Sequence, residues 1–140
     1  YYLPELYSAY FGRCYAAFRE LPAETQQSID TDGTFDFIRL RVLAYVQDEL
    51  IVREMNTFDA ALALIALGHL GGELAHFAPA LRCIITATVE GGLKGPFKAY
   101  EWNKMKTPTR ILVGGPEVTS AFVLMGLALA RRRMMKGHAA

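Results

Sequence analysis

Two of the three histidines are the residues best suited to chemistry in this chain, because imidazole binds metals and exchanges protons near neutral pH. His69 and His76 are seven residues apart, which is about two helical turns. Gly71 and Gly72 lie between them and interrupt any single helix that would carry both rings on one face. The spacing does not predict a shared metal site, and we interpret His69 as a histidine at a helix end.

The other polar residues do not form a recognisable catalytic set. Asp48, Glu49 and Glu54 lie among arginines, a pattern typical of a solvated face. The glycine-rich residues 91–96 lack the spacing and the Ser or Thr of a phosphate-binding loop. Neither a Ser, His and Asp set nor the histidine spacing of zinc proteases is evident. We therefore predict no enzyme activity, no cofactor and no metal site.

The composition predicts one folded domain with an appended segment. With 140 residues, 52% hydrophobic and 21% charged, the chain is too apolar to be disordered. Its net charge of +1 provides no overall attraction to nucleic acid. Cys14 and Cys83 are isolated in the sequence, and we interpret them as buried free thiols in a reducing compartment, with a disulfide as the alternative.

Hydrophobic spacing predicts a series of helices separated by glycine. Residues 35–55 follow a helical period, although residues 38–42 also alternate as a strand would, and we favour the helix. Residues 60–67 are all apolar and predict a helix buried on every side, with Asn56 or Thr57 as its cap. Residues 74–88 form another amphipathic stripe.

The first helix is predicted to carry an aromatic face that packs against a partner or the core. Its apolar residues recur every three or four positions, the spacing of a single helical face. We predict a protein interface there, formed by Tyr7, Tyr10, Phe11 and Phe18.

Residues 93–110 are locally basic and aromatic. Five lysines and arginines stand against Glu101 alone, with Tyr100 and Trp102 among them. Aromatic rings and cations both find partners in the headgroup zone of a membrane. Single-stranded nucleic acid is a second interpretation, because bases stack on rings and phosphates pair with lysines. A solvated linker is the third.

Residues 111–130 form an apolar run with one charge, closed by three arginines. Twenty residues would span about 30 Å, the thickness of a bilayer core, but a helix that starts at Pro116 would be only about 22 Å long to residue 130. A buried core helix therefore fits the pattern nearly as well. The residues predicted to contact membrane or partner here and in the basic segment are Tyr100, Trp102, Phe122, Met125, Leu129, Arg131, Arg132 and Arg133.

The beginning of the chain resembles that of the small three-helix mitochondrial proteins of the Leu-Tyr-Arg motif family. Residues 5–11 carry the resemblance, which extends over about residues 5–78, with Ser8 at the position of the motif arginine. It implies a third helix over residues 64–74 and a role as an accessory or assembly subunit of a respiratory complex, in a family that often docks on an acyl carrier protein.

Residues 66–69, with His76 and Phe77 after them, resemble the proximal-histidine region of bacterial globins. This second resemblance implies that His69 would ligate haem iron.

Together these patterns predict an all-α protein, a small helical bundle with a C-terminal apolar helix that could cross a membrane. Residues 1–92 would form the helical domain, residues 93–110 a basic aromatic linker or interfacial segment, and residues 111–140 the apolar helix with its basic tail.

The predicted function is that of a non-catalytic accessory subunit in the mitochondrial inner membrane, in a respiratory complex or the ATP synthase. Its partners would be other subunits and membrane lipid, because so much apolar surface is difficult to hide in a small monomer. The alternative is the coat protein of a filamentous particle that contains nucleic acid. A haem-binding globin-like protein ranks third.

Overall fold

Six helices and one two-stranded hairpin make up the described part of the computed structural model, which is residues 4–90, 98–102, 109–113 and 116–138. The predicted helical class is confirmed, with the hairpin as an addition. The elements in chain order are α1 (Pro4–Arg19), α2 (Ala23–Ile29), α3 (Thr34–Tyr45) with a π-helical turn (Val46–Leu50), α4 (Thr57–Leu70), α5 (Leu74–Val89), β1 (Lys98–Trp102), β2 (Thr109–Val113) and α6 (Pro116–His138).

Helix α4 is the centre of the fold. Every residue from Thr57 to Leu67 is buried, as the uninterrupted apolar run predicted. Helices α1, α5 and α6 pack around it and supply the surface that its apolar sides require. Small residues bring two of these neighbours close. Gly12 of α1 lies against Ala66, and Gly126 of α6 lies against the carbonyl of Ala61.

Polar side chains close both ends of α4, a local one at its N-terminus and distant ones at its C-terminus. At the N-terminus the Asn56 side chain accepts a hydrogen bond from the backbone N–H of Asp59 at 2.8 Å, which confirms Asn56 as the cap. At the C-terminus Gly71 adopts φ 79° and ends the helix. Arg39 of α3 donates to the Leu70 carbonyl at 2.8 Å, and Arg133 of α6 donates to the Gly72 carbonyl at 3.2 Å. Cations therefore stabilise the negative end of the helix dipole.

The segment with mixed periodicity is helical. The Asp30 carboxylate accepts from the backbone N–H of Phe35 at 3.0 Å in the first turn of α3. The π-helical turn that follows places Val46 and Leu50 in the core with no exposed surface. These apolar residues lie on the inner side of one continuous helical stretch. The helical period therefore predicts this segment correctly, and the strand-like alternation of residues 38–42 does not.

Of the two starts that the sequence allowed for the last helix, residue 111 is wrong and Pro116 is confirmed. Residues Thr109–Val113 pair antiparallel with Lys98–Trp102, with Tyr100 opposite Ile111. Helix α6 starts only at Pro116, a residue that favours the first helical position. Among the described residues no helix combines the length and apolarity needed to cross a membrane. Helix α6 packs along α4 instead, with Val123 and Ala130 buried in the common core.

The basic segment is described only in part. Residues 98–102 and 109–110 belong to the hairpin, whereas residues 93–97 and 103–108 lie outside the described part of the chain.

We predict that Gly68→Ala destabilises the protein, although Gly to Ala inside a helix normally stabilises it by about 1 kcal/mol. A Cβ at Gly68 would lie 2.7 Å from the Cβ of Leu129 and push α6 away from α4. The melting temperature should fall by about 5 °C in calorimetry. Gly137→Ala is the matched control, since its Cβ would meet only the mobile end of Leu74 at 3.1 Å. Equal melting temperatures for the two variants would contradict the close approach of α4 and α6.

Candidate protein-binding groove

An apolar groove lies between α1 and α3. Its volume is about 630 Å³, and both helices line it with side chains three or four residues apart. The lining residues are Pro4, Tyr7, Ser8, Tyr10, Phe11, Cys14, Ile38, Arg41, Val42, Tyr45 and Glu49.

The amphipathic pattern of α1 explains why the groove exists. Ala9 and Gly12 face α4 and are buried, because that side of α1 packs on the core. Tyr7 and Tyr10 lie on the opposite side and are 57% and 69% exposed. The aromatic stripe is therefore too wide for the core to cover, and its outer part remains as one wall of the groove.

The second wall comes from α3 and the turn after it. Ile38 and Val42 are half-buried one turn apart, and Tyr45 follows at the end of the helix. Arg41 and Glu49 add one positive and one negative charge to this mainly apolar lining. Binding sites commonly have this composition, with apolar side chains for affinity and a few polar groups for orientation.

An aromatic cluster holds α1 and α3 together beside the groove. Phe18 packs edge-on against Phe35 with 4.9 Å between ring centroids, and Tyr15 lies 6.2 Å from Phe18. The Tyr15 hydroxyl donates to the Asp36 carboxylate, while the Arg39 guanidinium lies 6.0 Å from the Tyr15 ring centroid. Burial, followed by the hydrogen bond to Asp36, raises the pKa of Tyr15.

A charged cluster of Glu5, Arg53 and Asp59 lies next to Tyr45. Arg53 forms an ion pair with Glu5, and its distance to the Asp59 carboxylate is 3.4 Å. Glu5 is 1% exposed, and the ion pair with Arg53 offsets part of the cost of burying its carboxylate. Partial burial lowers the pKa of Arg53, but the hydrogen bond and the negative charge of Glu5 outweigh this effect. The pKa of Arg53 is therefore raised. Burial first, and then the negative charge of Glu5, raises the pKa of Tyr45 to about 12.

The structure separates the four residues predicted as a protein interface. Tyr7, Tyr10 and Phe11 line the groove together. Phe18 is half-buried against Phe35 and belongs to the packing between α1 and α3, not to the groove lining.

The residues predicted on α6 also divide into two groups. Phe122 packs edge-on against Phe58 at 5.5 Å, and Leu129 lies against Gly68, so both face α4. Arg133 donates to the Gly72 carbonyl. Met125, Arg131 and Arg132 face outward and are exposed. Tyr100 and Trp102 lie in β1, and their side chains lie outside the described part.

The two cysteines differ from their predicted burial. Both are free thiols, but Cys14 is exposed and lines the groove. Cys83 is half-buried and donates to the Met55 carbonyl at 3.3 Å. Burial, and then the charge of Asp59, raises the pKa of the Cys83 thiol. The more accessible thiol is therefore the one in the groove.

His69 lies in a cationic environment at the end of α4. Its Cβ faces Gly12 of α1, and it does not line the groove. Burial lowers its pKa, and the charges of Arg13 and Arg132 lower it further. Within the described ranges no cluster of three or more His, Cys, Asp or Glu side chains could hold a metal ion.

Sequence reasoning missed the α3 wall and the charged cluster. The helical spacing of Ile38 and Val42 was visible, but nothing showed that this stripe would face the aromatic stripe of α1. The pairing of Glu5 with Arg53 joins residues 48 positions apart and leaves no local signal.

Comparison with known proteins provides no relative for this architecture. No protein-family model matches the chain, and neither a curated protein nor a solved structure matches it.

We predict that Arg53→Met destabilises the protein by about 3 kcal/mol, because it removes the cation that pairs with the buried Glu5 and approaches the buried Asp59. This value is at the lower end of the stability loss expected when one partner of a buried ion pair is removed, because the Arg53 side chain is 42% exposed. Urea unfolding at neutral pH measures the loss. Arg82→Met, an exposed arginine on α5, should change stability by less than about 0.5 kcal/mol. A loss at Arg53 no larger than that of the control would show that the cluster does not stabilise the fold.

We predict a pH dependence of stability that comes from His69. A histidine with a lowered pKa in the folded state binds its proton more readily when unfolded, so its contribution is present above about pH 6.5 and is lost as the pH falls through the folded pKa. Urea unfolding between about pH 7.5 and pH 5 should show a smaller loss for His69→Gln than for the wild type. Arg132→Gln should also reduce this loss of stability, because it removes one positive charge that repels protonated His69. An identical change of the free energy of unfolding with pH in all three proteins would contradict this role of His69.

Proposed function

We propose that this chain is a non-catalytic accessory subunit of a multi-protein complex and that the groove between α1 and α3 receives a partner subunit. The observation that carries the proposal is the exposure of Tyr7 and Tyr10 beside an apolar cavity of about 630 Å³. Large aromatic side chains at a concave surface are typical anchors of protein interfaces.

Helix α3 also exposes large apolar side chains outside the groove. Phe37 and Leu40 of α3 are 64% and 59% exposed. Several large apolar side chains exposed on neighbouring helices are typical of a protein that binds a partner. An amphipathic helix of the partner would suit the groove, because parallel walls from two helices accept apolar side chains at helical spacing.

We place this complex at a membrane, in the mitochondrial inner membrane, with a respiratory complex or the ATP synthase as the candidate assembly. The support for this location is the resemblance of residues 5–11 to the mitochondrial Leu-Tyr-Arg family. Ser8, at the position of the motif arginine, is buried and donates to the Pro4 carbonyl at 2.6 Å. Partner binding would therefore rest on Tyr7 and Tyr10 in place of that arginine.

We predict that Tyr10→Asp releases the chain from its assembly without unfolding it. Tyr10 is 69% exposed, so a charge there weakens partner binding but leaves the core intact. In native extracts the wild-type chain should elute in size-exclusion chromatography far above its 15.5 kDa, and the variant should elute near that mass. Val89→Asp is the matched control, since Val89 is 80% exposed on α5, away from the groove.

The thiols supply an independent measurement on the wild-type chain. Maleimide should label Cys14 readily in the purified chain and slowly in the assembled one, because the partner would cover the groove. Cys83 lies outside the groove, so its labelling rate is the internal reference for that of Cys14. A wild-type chain that elutes as a monomer from native extracts, with Cys14 fully reactive, would refute the subunit proposal.

A further inference from the structure

The outward face of α6 is apolar from residue 118 to residue 128. Val118, Leu124 and Met125 are exposed by 46%, 68% and 37%, and the exposed residues between and after them are alanines at positions 121 and 128. The strip begins after Glu117, an exposed carboxylate in the first turn that marks its outer end. From residue 118 to residue 128 this strip is about 15 Å long. The opposite face of the helix is occupied, because it packs on α4.

The same face becomes cationic in its last two turns. Arg131, Arg132 and Lys136 are exposed, and Met135 between them is 60% exposed. In the part of the chain that the structure describes, none of these three cations forms an ion pair with a carboxylate. The face therefore presents an apolar strip that continues directly into unneutralised positive charge.

We infer that the outward face of α6 binds the surface of an anionic lipid bilayer. Apolar side chains would enter the boundary between headgroups and acyl chains, and the arginines would pair with lipid phosphates and carboxylates. Charge complementarity selects this occupant, since a neutral protein surface would leave three cations without partners. The inference rests on the proposed function and deepens it, because it names the membrane contact of the subunit as a helix that lies on the bilayer.

The arrangement of the core supports this orientation. Arg133 is held inward by the Gly72 carbonyl, so the helix cannot rotate freely to bury its outer residues. Phe122 and Leu129 are likewise held on α4. The outward strip is therefore a fixed surface of the folded protein.

Cosedimentation of the full chain with vesicles tests the inference. The protein should pellet with vesicles of equal parts phosphatidylcholine and phosphatidylserine, bind vesicles of phosphatidylcholine alone at least about tenfold more weakly, and be released by high salt. The variant Arg131→Gln with Arg132→Gln should bind the anionic vesicles about thirtyfold more weakly, which corresponds to about fivefold for each lost cation. Leu124→Asn should weaken binding about tenfold through its apolar contribution.

Matched variants elsewhere on the surface separate specific from general effects. Arg82→Gln on α5 and Val52→Asn, which is 71% exposed after the π-helical turn, should bind as the wild type does. Equal binding to both vesicle types, or equal loss in test and control variants, would overturn the inference. A salt-sensitive complex with single-stranded DNA through Arg131 and Arg132, in the absence of vesicle binding, would overturn it in favour of a nucleic-acid surface.

The test distinguishes this inference from the proposed function. Absence of vesicle binding together with a large native assembly would overturn the lipid surface and leave the subunit proposal standing. Vesicle binding by a chain that is monomeric in native extracts would support the lipid surface and refute the subunit proposal.

Discussion

The burial of α4 on all sides is the constraint on which the rest of the structure depends. A helix that is apolar around its whole circumference has no side for water, so α1, α5 and α6 must enclose it. Ala60, Ala63 and Ala66 keep α4 thin, and Gly68 removes a side chain where Leu129 approaches. These small residues let the helix backbones approach closely, so the facing surfaces pack without voids and gain dispersion contacts.

Complete burial of the sides makes the ends of α4 the points where polar interactions decide the fold. Asn56 caps the N-terminus, where Glu5 and Asp59 share Arg53. The C-terminus is closed by Arg39 and Arg133, which reach it from α3 and α6. The Asn56 cap is local, but the contacts of Glu5, Arg39 and Arg133 connect the ends of α4 to α1, α3 and α6. These polar groups therefore position the surrounding helices, which the apolar contacts alone would leave free to slide.

The proposed binding surfaces are the apolar faces of α1 and α6 that the core does not bury. Helix α1 uses Ala9 and Gly12 against α4, and its tyrosines stay outside because α3 covers only one end of the aromatic stripe. Helix α6 uses Val123 and Ala130 in the core and leaves Leu124 outward. Both helices are apolar on two faces. A monomer needs only one such face, and the second face is the physical argument for a partner and for a lipid surface.

The sequence by itself determined the elements that depend on local spacing. The period of the aromatic stripe predicted α1, the continuous apolar run predicted the buried α4, and the cap of α4 was narrowed to Asn56 or Thr57, because each of these signals involves residues within a few turns. Only the tertiary structure decided that Phe18 is packing and Tyr10 is surface, that residues 109–113 pair as a strand, and that Glu5 meets Arg53. These outcomes depend on which faces meet across tens of residues, and hydrophobic spacing along the chain carries no information about that choice.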